Sequence, residues 1–131
     1  MLIDEIRIAN LLHKELGVSY FQFLRGYMKE GRVVTIRIKN SSVKMDIYKA
    51  YYFAKILRNI EDHGWKIVDS VNNLAVYENK QKGIKLYSRI DDILNFTSVI
   101  NEVFVQEVYK ANVKNKVVID VGAYRGESVI Y

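Results

Sequence analysis

Over residues 4–16, Ile8, Leu11, Leu12 and Leu16 recur three or four positions apart, so one face of a helix is apolar. Gly17 supplies the stop. Ser19 is a capping residue for a second helix over residues 19–29, with Phe23 and Tyr27 four apart and Gly31 beyond its end. Two such helices, each with one apolar stripe, read as a packed hairpin. The period then changes to two. Val34, Ile36 and Ile38 alternate with Thr35, Arg37 and Lys39, and Val43, Met45 and Ile47 alternate with Lys44, Asp46 and Tyr48. With Asn40-Ser41-Ser42 as the turn, this predicts a β-hairpin with one wet face.

Helical spacing returns at Phe53, Ile56, Leu57 and Ile60, predicting a helix over residues 49–62 closed by His63-Gly64. Three short strands follow, at residues 65–69, 74–78 and 84–88. Their turns are Val71-Asn72-Asn73 and Lys80-Gln81-Lys82-Gly83. Asp91-Asp92 opens a short helix, and Ile100, Val103, Phe104 and Val108 fit a longer one ending near Asn112. After Lys114-Asn115-Lys116 the pattern changes in kind. Residues 117–121 form a β-branched run without polar alternation before Asp120, as in a strand covered on both faces of a parallel sheet. The fold class that follows is α+β, with helices packed on a small, mainly antiparallel sheet. Its boundary divides an N-terminal α+β region, residues 1–113, from a strand and glycine loop at residues 114–131.

The last segment carries the most specific motif. Val117-Val118-Ile119-Asp120-Val121-Gly122-Ala123-Tyr124-Arg125-Gly126-Glu127-Ser128-Val129-Ile130-Tyr131 resembles motif I of class I S-adenosylmethionine-dependent methyltransferases. It is most similar to the FkbM-like group, whose typical form is VIDVGAN-x-G-x-S-x-x-Y. Glycines after such a strand allow a tight turn and a close ligand approach, and the following helix offers unpaired N–H groups. The resemblance implies that Asp120, Gly122, Ala123 and Gly126 line the methionine and ribose side of S-adenosylmethionine. It also implies that residues 114–131 are the first strand and loop of an incomplete Rossmann-like domain. Tyr124 departs from the family, which usually has Asn there. A complete cofactor site needs several further βα units. The expectation is therefore a truncated N-terminal region, inactive in methyl transfer and binding no cofactor at this length.

Composition narrows the alternatives. The chain has 131 residues, half of them hydrophobic, enough for one core. No apolar run approaches the ~20 residues that span a bilayer, and the acidic start Met1-Leu2-Ile3-Asp4-Glu5 lacks a signal-peptide pattern, so a cytoplasmic protein without membrane contact is expected. The absence of cysteine excludes disulfides and thiolate metal sites in this chain. The net charge of +5 is thinly spread, which reads as a solvated surface.

His13 and His63 lack a second ligand at metal spacing. His63 suits the last carbonyls of its helix. Asp91-Asp92 and Glu61-Asp62 are adjacent pairs whose side chains diverge on a helix, so they read as helix-end charge. A second functional reading is a non-enzymatic binding or structural module. The apolar strand at residues 117–121 would then join the upstream strands or pair with its copy in a homodimer. A third reading is a basic nucleic-acid-binding protein. It rests on Tyr48, Tyr51 and Tyr52 near Lys44, Lys49 and Lys55, and on Tyr87 beside Lys85 and Arg89.

Overall fold

A computed structural model describes residues 2–28 and 31–106. In chain order these form helix α1 (Leu2–Leu16), helix α2 (Tyr20–Met28), strands β1 (Val33–Ile38) and β2 (Ser41–Asp46), and helix α3 (Ile47–Glu61). Strands β3 (Trp65–Val71), β4 (Leu74–Asn79) and β5 (Ile84–Arg89) follow. A 3-10 turn (Ile90–Asp92) leads into helix α4 (Ile93–Ile100) and a π-helical turn (Asn101–Val105). The α+β class is as expected. The boundary at residue 113 and the strand at residues 117–121 lie outside the described residues.

Local chemistry sets the helix ends. Gly17 takes φ +67°, which lets the N–H groups of Gly17 and Val18 return to the carbonyls of His13 and Leu12, each at 3.2 Å. At the start of α2, the Gln22 N–H donates to Ser19 Oγ at 3.1 Å. The Ser19 N–H donates to Gln22 Oε1 at 3.2 Å, a reciprocal capping box. Helix α3 begins at Ile47, two residues before the predicted start. The Asp46 carboxylate accepts the Tyr48 and Lys49 N–H groups at 2.9 and 3.4 Å and so caps the helix there. Ile47 and Tyr48 are therefore helical, not the end of a strand.

The first hairpin also shifts. Val34 lies opposite Met45 and Ile36 opposite Val43, which leaves Ile38 opposite Ser41. Facing apolar side chains fix this register. The loop is then Lys39-Asn40, with Lys39 at φ +54°, and not Asn40-Ser41-Ser42. The second hairpin turns where predicted: Asn72 and Asn73 both have positive φ, as a two-residue turn between twisted strands requires.

The strands make two antiparallel sheets instead of the single one expected, β1-β2 and β3-β4-β5. A bulge between Ile67 and Asp69 bends the edge strand β3. Where the hairpin meets it, the Asn40 N–H donates to the Ser70 hydroxyl at 2.9 Å, a side-chain contact in place of a shared ladder. Helix α3 touches α1, α4, β1, β2 and β3, so its apolar face is the middle of the core. Phe53, Ile60, Trp65, Tyr77, Phe96 and Ile100 are fully buried there. Each such side chain is worth about 1.5–3 kcal/mol relative to exposure. Trp65 packs on Phe104 at 5.1 Å between ring centres, and Tyr77 on Phe96 at 5.4 Å. Thr97 donates to the Ile93 carbonyl at 2.7 Å and shares a 2.5 Å hydrogen bond with the Tyr77 hydroxyl, which ties α4 to β4. No helix among the described residues is long and apolar enough to cross a membrane.

Candidate functional site

Helices α1 and α3 pack side by side, each turning its apolar stripe inward: Ala9, Leu12 and Leu16 on α1, and Phe53, Ile56, Leu57 and Ile60 on α3. Residues beside those stripes must border the surface seam between the helices. On α1 these are Arg7, Asn10, Leu11 and Lys14, and on α3 they are Tyr51, Lys55 and Arg58. Both sets have the three-, four- and seven-residue spacing of one helix face. They line a groove of about 460 Å³.

Among the described residues, the groove's lining has two guanidinium and two ammonium groups and no carboxylate. Leu11 and the half-buried Tyr51 ring supply apolar wall, and Lys55 Nζ rests 5.4 Å from the centre of that ring. Among the described residues, none of the four cationic side chains makes a hydrogen bond or an ion pair. Elsewhere on the surface, Lys85 pairs with Glu78 at 3.7 Å and Arg89 with Asp91 at 2.7 Å. Four like charges around one concavity repel each other, and the low-dielectric walls concentrate their field. Such an arrangement attracts an anion.

One end of the groove is acidic. Glu15 follows Lys14 on α1, and Glu61 lies three residues beyond Arg58 on α3. Partial burial, and then the negative charge of the neighbouring Glu15 carboxyl, push the Glu61 carboxyl above the usual carboxylate range. Asp62 adds a further negative charge beside them. The negative ends of both helix dipoles also lie here.

A second cavity of about 470 Å³ lies between β2, the start of α3 and α4. It mixes Lys44 and Lys49 with Asp46, Asp91 and Asp92, and two of those acids already have work: Asp46 caps α3 and Asp91 holds Arg89. With two cations against three carboxylates, neither sign dominates it as cations dominate the α1–α3 groove.

The cofactor residues suggested by the sequence, Asp120, Gly122, Ala123 and Gly126, lie outside the described residues, as does Tyr124. His13 and His63 both serve helix ends. His13 Nδ1 is 3.1 Å from the Val18 carbonyl, with its ring stacked on Tyr20, and His63 Nδ1 is 2.8 Å from the Asn59 carbonyl. Among the described residues, no three His, Asp or Glu side chains are grouped so as to hold a metal ion. The tyrosines scatter. Tyr48, Tyr52 and Tyr87 are exposed, Tyr77 is buried in the core, and Tyr27 donates to Glu5 at 3.0 Å. Of the aromatic and basic residues singled out together in the sequence, the groove takes Tyr51 and Lys55. Reading the sequence alone missed Arg7, Lys14 and Arg58. The seven-residue interval between Arg7 and Lys14 was the available signal, and nothing local links α1 to α3. Comparison with protein-family models, with curated proteins and with solved structures finds no match to this chain.

Proposed function

We propose that the chain is the N-terminal portion of an FkbM-like, S-adenosylmethionine-dependent methyltransferase. In this reading residues 1–113 form an accessory unit, and the strand at residues 117–121 opens the catalytic domain. The observation that carries it is the fifteen-residue string from Val117 to Tyr131, with Asp120, Gly122, Ala123 and Gly126 at the cofactor positions of motif I. The fold supports the division of labour. Ligand crevices of Rossmann-like domains open at the carboxyl ends of parallel strands, and every strand pairing among the described residues is antiparallel. The accessory unit thus has a different architecture from the domain the motif announces. In this reading motif I by itself holds too little of the cofactor site to bind S-adenosylmethionine or support methyl transfer.

A second reading is a non-enzymatic binding module, as a homodimer joined through residues 117–121. The observation favouring it is the basic groove, lined by described residues of α1 and α3. One sample tests both readings. Isothermal titration of S-adenosylmethionine into the 131-residue chain should give no stoichiometric heat, and tight one-to-one binding would overturn the claim of inactivity. Coding sequence continuing beyond Tyr131 into further βα units supports the methyltransferase. A dimer in sedimentation that is lost on deleting residues 117–131 supports the module.

A further inference from the structure

We propose that the α1–α3 groove is a binding site for a compact, multiply charged phosphate group of the diphosphate type. This goes beyond the methyltransferase reading and does not depend on it, because every residue involved lies on α1 or α3.

Charge is the first reason. Arg7, Lys14, Lys55 and Arg58 line one concavity with no acid among them. A monoanion leaves most of that repulsion in place, whereas a diphosphate offsets most of it. Shape and chemistry are the second. Arginine forks bind phosphate oxygens two at a time, and lysines add mobile point charges. Neither arginine is engaged with another described residue, so both forks are available. Asn10 on α1 and Tyr51 on α3 add neutral donors to the lining. Arg7 and Lys14 stand two helical turns apart, about 10 Å along the axis, which brackets a small ligand. The volume of about 460 Å³ falls in the range of small-molecule sites.

The third reason is the closed end. A nucleic-acid strand tracking the groove would have to pass Glu15, Glu61 and Asp62, where like charge repels its phosphates. A ligand that stops short of that end avoids the cost. The Tyr51 ring could cover the nucleoside of a nucleotide, so the diphosphate has two sources, free pyrophosphate or a nucleoside diphosphate.

The test is isothermal titration of the 131-residue chain at low ionic strength with pyrophosphate, inorganic phosphate, ADP and a single-stranded oligonucleotide. Pyrophosphate or ADP should bind one to one and more tightly than inorganic phosphate, and added salt should weaken the binding. ADP binding tighter than pyrophosphate identifies a nucleotide as the source, and equal binding identifies the diphosphate alone. Arg7→Gln and Arg58→Gln should each weaken binding about five-fold, and together roughly 25-fold, the loss of exposed charge-assisted contacts. Both side chains are exposed and make no internal bonds among the described residues, so circular dichroism should not change. Lys80→Gln, which removes the same charge from the exposed β4–β5 turn, should leave the affinity unaltered. Three results would overturn the assignment: no heat with either diphosphate, arginine variants that bind like Lys80→Gln, or preference for the oligonucleotide with affinity rising with its length.

Discussion

Replacing Gly26 with alanine sets two effects of opposite sign against each other, and the packing of α2 on β1 decides between them. Gly26 lies inside α2, and its φ is not positive, so alanine suits the backbone. Intrinsic helix preference alone favours the change by about 1 kcal/mol. A Cβ at this position, however, would collide with the Val33 carbonyl oxygen and come within 3.2 Å of Val34 Cγ1. The oxygen belongs to the backbone of β1 and cannot rotate aside, so the helix must back away. Moving it strains the 2.9 Å hydrogen bond from the Arg32 N–H to the Gly26 carbonyl and loosens Phe23, the other buried residue of α2. Overpacking of this kind costs roughly 1–3 kcal/mol, and a weakened hydrogen bond adds up to about 1 kcal/mol. After the helix gain, a net loss of up to about 3 kcal/mol remains, centred on about 1.5 kcal/mol. Urea denaturation followed by fluorescence of Trp65, the only tryptophan and fully buried, measures it directly. In a thermal scan the loss should appear as a midpoint lower by about 4–10 °C. A Gly26→Ala variant as stable as the parent, or more so, would show that helix preference outweighs the close approach and would refute the reasoning.

The acidic end of the groove makes a pH-dependent prediction. Because folding raises the Glu61 pKa, the protonated form contributes stability that is complete below the ordinary carboxylate pKa and is lost as pH rises through the folded-state value. Glu61→Gln should therefore be more stable than the parent at pH 7, by about 0.5 kcal/mol because solvent screens so exposed a group. The gap should close in acid, and an equal gap at pH 7 and pH 3 in urea titrations counts against this account. The cap of α3 makes another. Asp46→Ala should cost about 1 kcal/mol and Asp46→Asn much less, since asparagine still accepts the Tyr48 N–H. Equal losses in chemical denaturation would mean that the cap's hydrogen bond is not the source.

Several elements were legible because their information is local. The inward faces of α1 and α3 follow from spacing, with Leu12 and Phe53 both fully buried. Ser19 caps α2, and Gly17 ends α1. The Asn72-Asn73 turn falls where two residues tolerant of positive φ stand together. Elsewhere, partners distant in sequence decided. The Lys39-Asn40 loop depends on which apolar residues of β1 and β2 face each other, and the serines after it were equally good turn residues. Ile47 alternates as a strand residue would, yet the Asp46 cap makes it helical. Glu61 and Asp62 read as helix-end charge, whereas the carboxyl that acts most strongly on Glu61 is Glu15, forty-six positions away.

By itself the sequence determined the order of the elements, the inward faces of α1 and α3 and the α+β class. All of these depend on residues within a few positions of one another. Only the tertiary structure decided that the strands among the described residues make two small sheets, and that Arg7 and Lys14 share a groove with Lys55 and Arg58. The physical reason is that apolar stripes dock the helices, while charges flanking the stripes are carried along. Each stripe could be read from its own helix. Which two helices would dock depended on the shape of the whole core.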